Sequence, residues 1–393
     1  MTHPSVLDDD TQTRAYESRA GVPVRQKGGY LAFVPKPLPP SPPLRMNATI
    51  SRELAQAERA LARLDGAAMT LADIGLFIEL FTRKEALLST QIEGTQATLR
   101  GILAFEAGVT TDEDPSDLQE VINYIATLEF GLKTIGKKPD RDYILNLHKT
   151  LITGTRGGNK NPGMFRDVQN YIGRPGSTIH DAVFIPPPPE MIPRLLDDLL
   201  HFFSSEDDAI PPLIRAAYIH AQFETIHPFM DGNGRLGRLL IVLYLCHFGV
   251  ISHPLITLSL YLKEHQNSYY ELLNRVRYDG DWESWCLFFL KGVTNVSEKA
   301  LATISRIHRL RVETIHKLRE AGSESPVSVQ MAELLFKKPV ISVQEIISEL
   351  EINRQTAYDL VETFEKAGIL QEITGKKRYR KYLFSGYLEI AGL

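Results

Sequence analysis

Two apolar segments of helical period, PPLIRAAYIHAQFETIHPF and RLGRLLIVLYLCHFG, are joined through IHPFMDGNGRLGR, residues 226–238. That stretch crowds a histidine, an aspartate, an asparagine, three glycines and two arginines between them. The glycine content predicts a helix ending near His227, a loop, and a new helix beginning around Arg235. Whatever the fold, the two segments meet at a polar elbow, and the elbow is the first place to look for chemistry.

Four readings compete for it. GNGRLG, Gly232 to Gly237, matches the dinucleotide fingerprint G-x-G-x-x-G, but that motif follows a strand and needs an acidic residue about twenty positions on. Here it follows a helical segment, and that place falls near Pro254. A P-loop needs Gly-Lys-Ser/Thr, which is missing. His220, Glu224 and His227 stand at i, i+4 and i+7, as metal ligands on one helix face do. No further ligand cluster accompanies them, and a packed or hydrogen-bonded His220 is the alternative. An anion cradle accounts for every polar residue. A helix start offers free N–H groups and a positive dipole end, and glycines let that backbone approach an anion. Asn233 adds an amide. Arg235 and Arg238, three apart, can fork onto phosphate oxygens. Asp231 supplies a carboxylate for Mg²⁺, which pairs such groups with substrate phosphates. His227 stands beside the cradle with a near-neutral pKa suited to a general base. The composite implies phosphoryl or nucleotidyl transfer to a hydroxyl.

The surrounding chain reads as mainly helical. Its 393 residues suggest two or three domains, and 43% hydrophobic content is ample for a core. A net charge of −4 gives no global polyanion-binding signal, so any nucleic-acid contact is local. Cys246 and Cys286 sit in apolar runs and read as buried thiols of a reducing compartment. The start MTHPSVLDDDTQTR lacks the features of a signal peptide, and LLIVLYLC is too short to span a bilayer. A cytoplasmic protein without membrane contact is expected. Residues 1–46 are proline-rich and predict an extended arm that docks in part through its tyrosine and phenylalanine. Residues 47–110 hold three helices, the first stopping at Asp65-Gly66 and the second at Gly94. Residues 117–296 form the core, interrupted by QNYIGRPGSTIHDAVFIPPPP, which predicts a short β-hairpin or flap. A linker helix over 297–324 leads to a last domain at 325–393.

His-Pro-Phe-Met-Asp-Gly-Asn-Gly-Arg-Leu-Gly-Arg, 227–238, resembles the signature of Fic-domain proteins, H-x-F-x-[DE]-G-N-G-R-x-x-R, at every defined position. The similarity extends upstream through HAQFETIHPF and to the hairpin. It implies a Fic helical bundle with a β-hairpin flap, and a protein adenylyltransferase that moves AMP from ATP onto a Ser, Thr or Tyr hydroxyl. Carried over to this sequence, His227 deprotonates the hydroxyl, Phe229 anchors the loop and Asp231 binds Mg²⁺. Gly232, Asn233 and Gly234 hold the α-phosphate, and Arg235 and Arg238 the outer phosphates. The target chain would add as a strand to the flap near Ile172–Ile185. Tyr269 and Tyr270 resemble the position that contacts the nucleoside, although a buried aromatic pair is the plainer reading.

A second match is Ser89-x-x-x-Glu93-Gly94 in STQIEGTQ, which resembles the family's inhibitory motif [ST]-x-x-x-E-[GN]. The plain reading is a helix end capped by Gly94 with Glu93 solvated. The resemblance implies instead that Glu93 reaches Arg238 and takes the guanidinium meant for the γ-phosphate. Residues 325–393 resemble a winged helix-turn-helix domain. Asn353 is a candidate N-cap. Arg354, Gln355, Thr356 and Tyr358 open the would-be recognition helix, and GKKRYRK forms a basic wing for DNA phosphates. Many acidic residues in this tail suit a protein-docking or homodimer role equally. Self-modification, reversed chemistry that removes AMP, and a DNA-binding regulator with a nucleotide-sensing core all remain compatible with the sequence.

Overall fold

The computed structural model describes residues 19–69, 74–136, 138–174, 176–205 and 209–391. An antiparallel hairpin, β1 (Gly21–Arg25) and β2 (Leu31–Pro35), comes first. The helices α1 (Ala48–Met69), α2 (Ile74–Ile92) and α3 (Leu99–Glu106) follow, then α4 (Pro115–Thr134), α5 (Arg141–Ile152) and α6 (Ile192–Phe203). Next come α7 (Pro212–Ile226), α8 (Asn233–His247), α9 (Leu258–Glu264), α10 (Gln266–Asp279) and α11 (Trp282–Glu320). The C-terminal part is α12 (Pro326–Lys337), β3 (Val340–Ser342), α13 (Val343–Leu350), α14 (Arg354–Lys366), β4 (Leu370–Glu372), β5 (Lys381–Phe384) and α15 (Ser385–Ala391).

The two apolar segments form the paired central helices. Every residue of α7 from Leu213 to Ile226 is buried, and nearly all of α8 is too. A helix that is apolar all round must be enclosed by others. Here α4 and α5 cover α8, α6, α10 and α11 cover α7, and α2 reaches α8 from the N-terminal side. Helix starts follow capping chemistry. Asp114 accepts from Ser116 N (2.8 Å) ahead of Pro115, and Asp140 accepts from Tyr143 N (2.9 Å).

Three expectations need correction. Residues 21–35 pair as a hairpin rather than forming an extended arm, because Val22↔Val34 and Val24↔Ala32 alternate in register around a turn closed by Gln26 N to Tyr30 O (2.9 Å). Residues 1–18 of that arm lie outside the described residues. Helix α1 runs through Asp65-Gly66 to Met69. Burial of Leu64 and Ala68 against α11 outweighs the cost of a mid-helix glycine, about 1 kcal/mol, and Asp65 caps the distant Ser252 backbone instead (2.8 Å). The thiols are both free, but only Cys286 is fully buried; Cys246 is partly exposed. The helix expected to link the domains is the distal half of α11, which is unbroken from Trp282 to Glu320.

The C-terminal part has the winged-helix layout: α12, α13 and α14 with a sheet ordered β3-β5-β4. Ser342 and Glu345 form a reciprocal capping box at α13, and Asn353 caps α14 through Thr356 N (2.9 Å).

Candidate active site

His227 closes α7 in the left-handed region (φ 49°), and Gly232 opens α8 in the same region (φ 79°). Four residues of loop separate the two. A side chain at Gly232 would be strained and would crowd Ile152 Cγ2 at 3.0 Å. The first intrahelical bond of α8 is Leu236 N to Gly232 O (3.0 Å), so the amides of 233–235 have no helical acceptor. Free amides of this kind at a helix start suit an anion.

Groups from outside hold the loop. Arg166 Nε donates to His227 O (3.0 Å) and Arg166 N to Pro228 O (3.0 Å). Asn170 Nδ2 donates to Phe229 O (3.1 Å). Phe229 is buried and stacks on His148 (3.7 Å between centroids). Gly163 N donates to His148 Nδ1 (3.1 Å), which leaves Nε2 to carry the proton given to Asp231 O (3.1 Å). Burial lowers His148 to about 4, so it serves as a neutral prop. His227 departs from the near-neutral value expected of it: it is lowered to about 3, by burial first and then by the Arg277 and Arg166 cations. Its Nδ1 is enclosed without a partner among the described residues. At neutral pH the ring is an unprotonated imidazole.

The residues expected to grip phosphate are engaged differently. Asn233 accepts from Phe229 N (2.9 Å) and donates to Phe229 O (2.8 Å), so its side chain locks the loop and only its backbone belongs to that helix start. That corrects the expectation of an amide offered to the α-phosphate. Arg235 turns toward α4. It is nearly fully buried, between Asp231 Oδ1 (3.3 Å) and Glu120 Oε2 (3.4 Å). Arg238 turns toward α2, where Nε donates to Ser89 Oγ (2.8 Å) and Nη2 to Ser89 O (2.9 Å) and Glu93 Oε1 (2.7 Å). Burial alone would depress the Arg238 guanidinium; Glu93, Tyr269 and Glu224 hold it above its ordinary value. The Glu93 carboxylate also lies on the first turn of α8. A Cβ at Gly234 would stand 2.4 Å from its Oε1. Glu93 therefore sits where a helix N-terminus attracts negative charge.

Of the tyrosine pair, Tyr269 is buried with its hydroxyl 2.9 Å from His220 Nε2, and Tyr270 is exposed at the rim. The flap is one antiparallel bridge, Ile172↔Phe184, with a 3-10 turn at Ile179–Asp181; Pro175 of its turn lies outside the described residues. Arg277 lies over Phe184 at 3.8 Å and bonds Glu224 O (3.1 Å). Among the described residues no group of three or more His, Cys, Asp or Glu could hold a metal by itself. The Asp231 side chain is 42% exposed and fits a cation only alongside phosphate oxygens.

Residues 51–133 match the Fic/DOC family N-terminal segment and residues 138–245 match the Fic/DOC family, while residues 329–382 match an HTH DNA binding domain. The chain carries a Fic domain. Protein adenylyltransferase fic-1 of Caenorhabditis elegans is 34% identical over 170 residues, 40% of this chain and 30% of that protein. A probable protein adenylyltransferase of Aquifex aeolicus (strain VF5) is 29% identical over 183 residues, 45% of this chain and 51% of that one. The chain thus spans about half or less of the length of these relatives. A crystal structure of a Fic family protein from Desulfovibrio desulfuricans G20 superposes with a TM-score of 0.59 at 20% identity, covering 87% of this chain and 97% of that one. That likeness concerns the Fic fold.

His148, Arg166, Asn170, Glu120 and Arg277 had no signal in the sequence. Each acts on the motif from far along the chain, and nothing local marks them.

Proposed function

We propose that this protein is a protein adenylyltransferase, transferring AMP from ATP to a hydroxyl of a target protein or of itself, and that it is held back by Glu93. The observation that carries this is a carboxylate lying against Arg238 and the first turn of α8, beside a neutral imidazole. It occupies ground suited to the outer phosphates of a nucleotide. The names of the adenylyltransferase relatives support the choice of AMP transfer over other phosphoryl chemistry.

In this reading His227 takes the proton of the attacking hydroxyl. The oxygen bonds to the α-phosphorus, and the bond to the bridging oxygen breaks to release pyrophosphate. The amides of Gly232 to Gly234 hold the α-phosphate, and Arg238, once free of Glu93, holds the γ-phosphate. Asp231 would hold Mg²⁺ together with the phosphates, and the ion would offset charge on the leaving group. The target segment lies along the flap near Ile172–Ile185. Tyr270 borders the nucleoside side of the site.

We further infer DNA binding by the C-terminal domain. Arg354, Gln355 and Tyr358 are exposed at the start of α14, and residues 376–380 expose a run of basic side chains. This is the arrangement in which a helix enters the major groove and a wing meets phosphate.

The test of the enzyme reading is intact-mass spectrometry after incubating wild type and Glu93→Gly with ATP and Mg²⁺. We expect the variant to gain the mass of an adenylyl group at least about tenfold faster, since a charged hydrogen bond is worth roughly 1.5–3 kcal/mol. Equal gain by both proteins would discard the brake. No gain by either, alone or with cell extract as target, would discard the transferase.

A further inference from the structure

The last turn of α2 and the first turn of α8 both rest on one face of α4. Glu93 N and Thr95 N both close on Thr90 O, at 2.9 and 3.3 Å, so Thr95 belongs to the turn that carries Glu93. Thr95 is buried, and its hydroxyl donates to Glu120 Oε2 at 2.8 Å. Next to it, Gln96 N donates to Asp117 Oδ2 at 2.6 Å, one helical turn before Glu120. Arg156 closes the acidic pair from outside, with Nη2 2.5 Å from Asp117 Oδ1 and Nε 3.3 Å from Glu120 Oε1.

The same oxygen, Glu120 Oε2, stands 3.4 Å from Arg235 Nη1. That is ion-pair range but short of a hydrogen bond, and Arg235 Nη1 and Nε have no hydrogen-bond partner among the described residues. A buried guanidinium with unpaired donors is costly. The carboxylate oxygen that faces Nη1, Glu120 Oε2, already accepts from the Thr95 hydroxyl, while Asp231 Oδ1 takes Nη2 at 3.3 Å. One acceptor therefore faces two claimants: a hydroxyl from the turn bearing Glu93, and an arginine from the nucleotide loop.

We propose that Glu120 is a positioning residue that couples the two. While Glu93 rests on Arg238, Thr95 holds Glu120 Oε2 and Arg235 stays loosely paired. When the turn lifts away, Thr95 leaves with it, and Glu120 closes on Arg235 to fix the guanidinium for the nucleotide phosphates. Thr95 is then part of the restraint although it touches neither Arg238 nor substrate. This inference rests on the adenylyltransferase reading above.

The experiment measures labelled AMP incorporation by the full chain, with ATP titrated, for Thr95→Val, Thr95→Ser and Glu120→Gln, each alone and combined with Glu93→Gly. Thr95→Val keeps the shape and removes the hydroxyl. It should raise transfer about tenfold, the worth of one hydrogen bond to a charged group, and a gain of activity is not what misfolding produces. Thr95→Ser should stay at the wild-type level. In the Glu93→Gly background Thr95→Val should add nothing, because the turn is already released. Glu120→Gln in that background should raise KM for ATP about tenfold, with kcat changed less than about twofold. An active Glu93→Gly chain in which Thr95→Val leaves the otherwise wild-type protein unchanged, or Glu120→Gln leaves KM unchanged, overturns the coupling alone. A Glu93→Gly chain that transfers nothing overturns the underlying reading and the coupling with it.

Discussion

His227 occupies a left-handed backbone state, which costs a residue with a β-carbon about 1–2 kcal/mol. It stays there because Arg166 holds its carbonyl and α7 ends in the core. The same enclosure sets its chemistry. With its value lowered to about 3 from an ordinary 6.5, the imidazole is neutral across the physiological range and needs no deprotonation before acting. The kcat/KM of Glu93→Gly should therefore show no acid limb near pH 6.5 from this base; a pH–rate profile with a limb there that disappears with His227 would contradict the assignment. His227→Ala should lose AMP transfer while calorimetry still detects ATP binding; retained transfer would take the base role elsewhere. The sequence marks these residues as candidates because histidine, carboxylate, glycine and arginine are the chemical types a phosphate site requires, at spacings one turn can satisfy. Their present partners were not legible there. Asn233 looks like a phosphate ligand in sequence and turns out to bind the Phe229 backbone, and Arg235 faces Glu120, a residue more than a hundred positions earlier.

Among the elements, periodicity was a good guide to the helices and a poor guide to what stops them. Asp65-Gly66 carries a stop signal, yet α1 continues, because helix ends are decided by what the last turns bury. The hairpin β1–β2 escaped notice because its prolines, Pro23 and Pro35, mask the alternation of valines. Its place explains why it exists: Phe33 N donates to Ile185 O (2.9 Å), and the Phe33 ring lies 6.1 Å from Phe184 and 6.2 Å from Tyr278. The hairpin thus backs the flap. Phe33→Ala should destabilise the chain by roughly 3–5 kcal/mol, the usual cost of emptying a buried aromatic site, visible in thermal melts. In the Glu93→Gly background it should also raise KM for a protein target while leaving ATP affinity in place. An unchanged melt would mean the hairpin is only draped on the surface.

For the molecule as a whole, the order of segments was readable but their mutual docking was not. The sequence separates a C-terminal domain from the core. The structure presses that domain onto α2 and α11, with Tyr387 buried toward Arg83 on the helix that carries Ser89 and leads into the Glu93 turn. Net charge is negative, so duplex binding would have to be local, with the exposed basic run meeting phosphate. In mobility-shift assays, replacing Lys376, Lys377 and Arg378 by Ala should weaken binding to all sequences and reduce the slope of log K against log salt concentration by about 0.9 per lost phosphate contact. Arg354→Ala should instead blur the preferred site, and unaltered binding by both variants would assign the domain to protein contacts. Helix α11, 39 residues without a break, is a rod of about 58 Å. It touches α7 behind the catalytic loop at one end and the last domain at the other. Anchored by that far end, a transferase of the kind proposed would carry His227 at a set reach from the anchor. Which hydroxyls it modifies would then depend less on their flanking residues than on whether they stand within that radius.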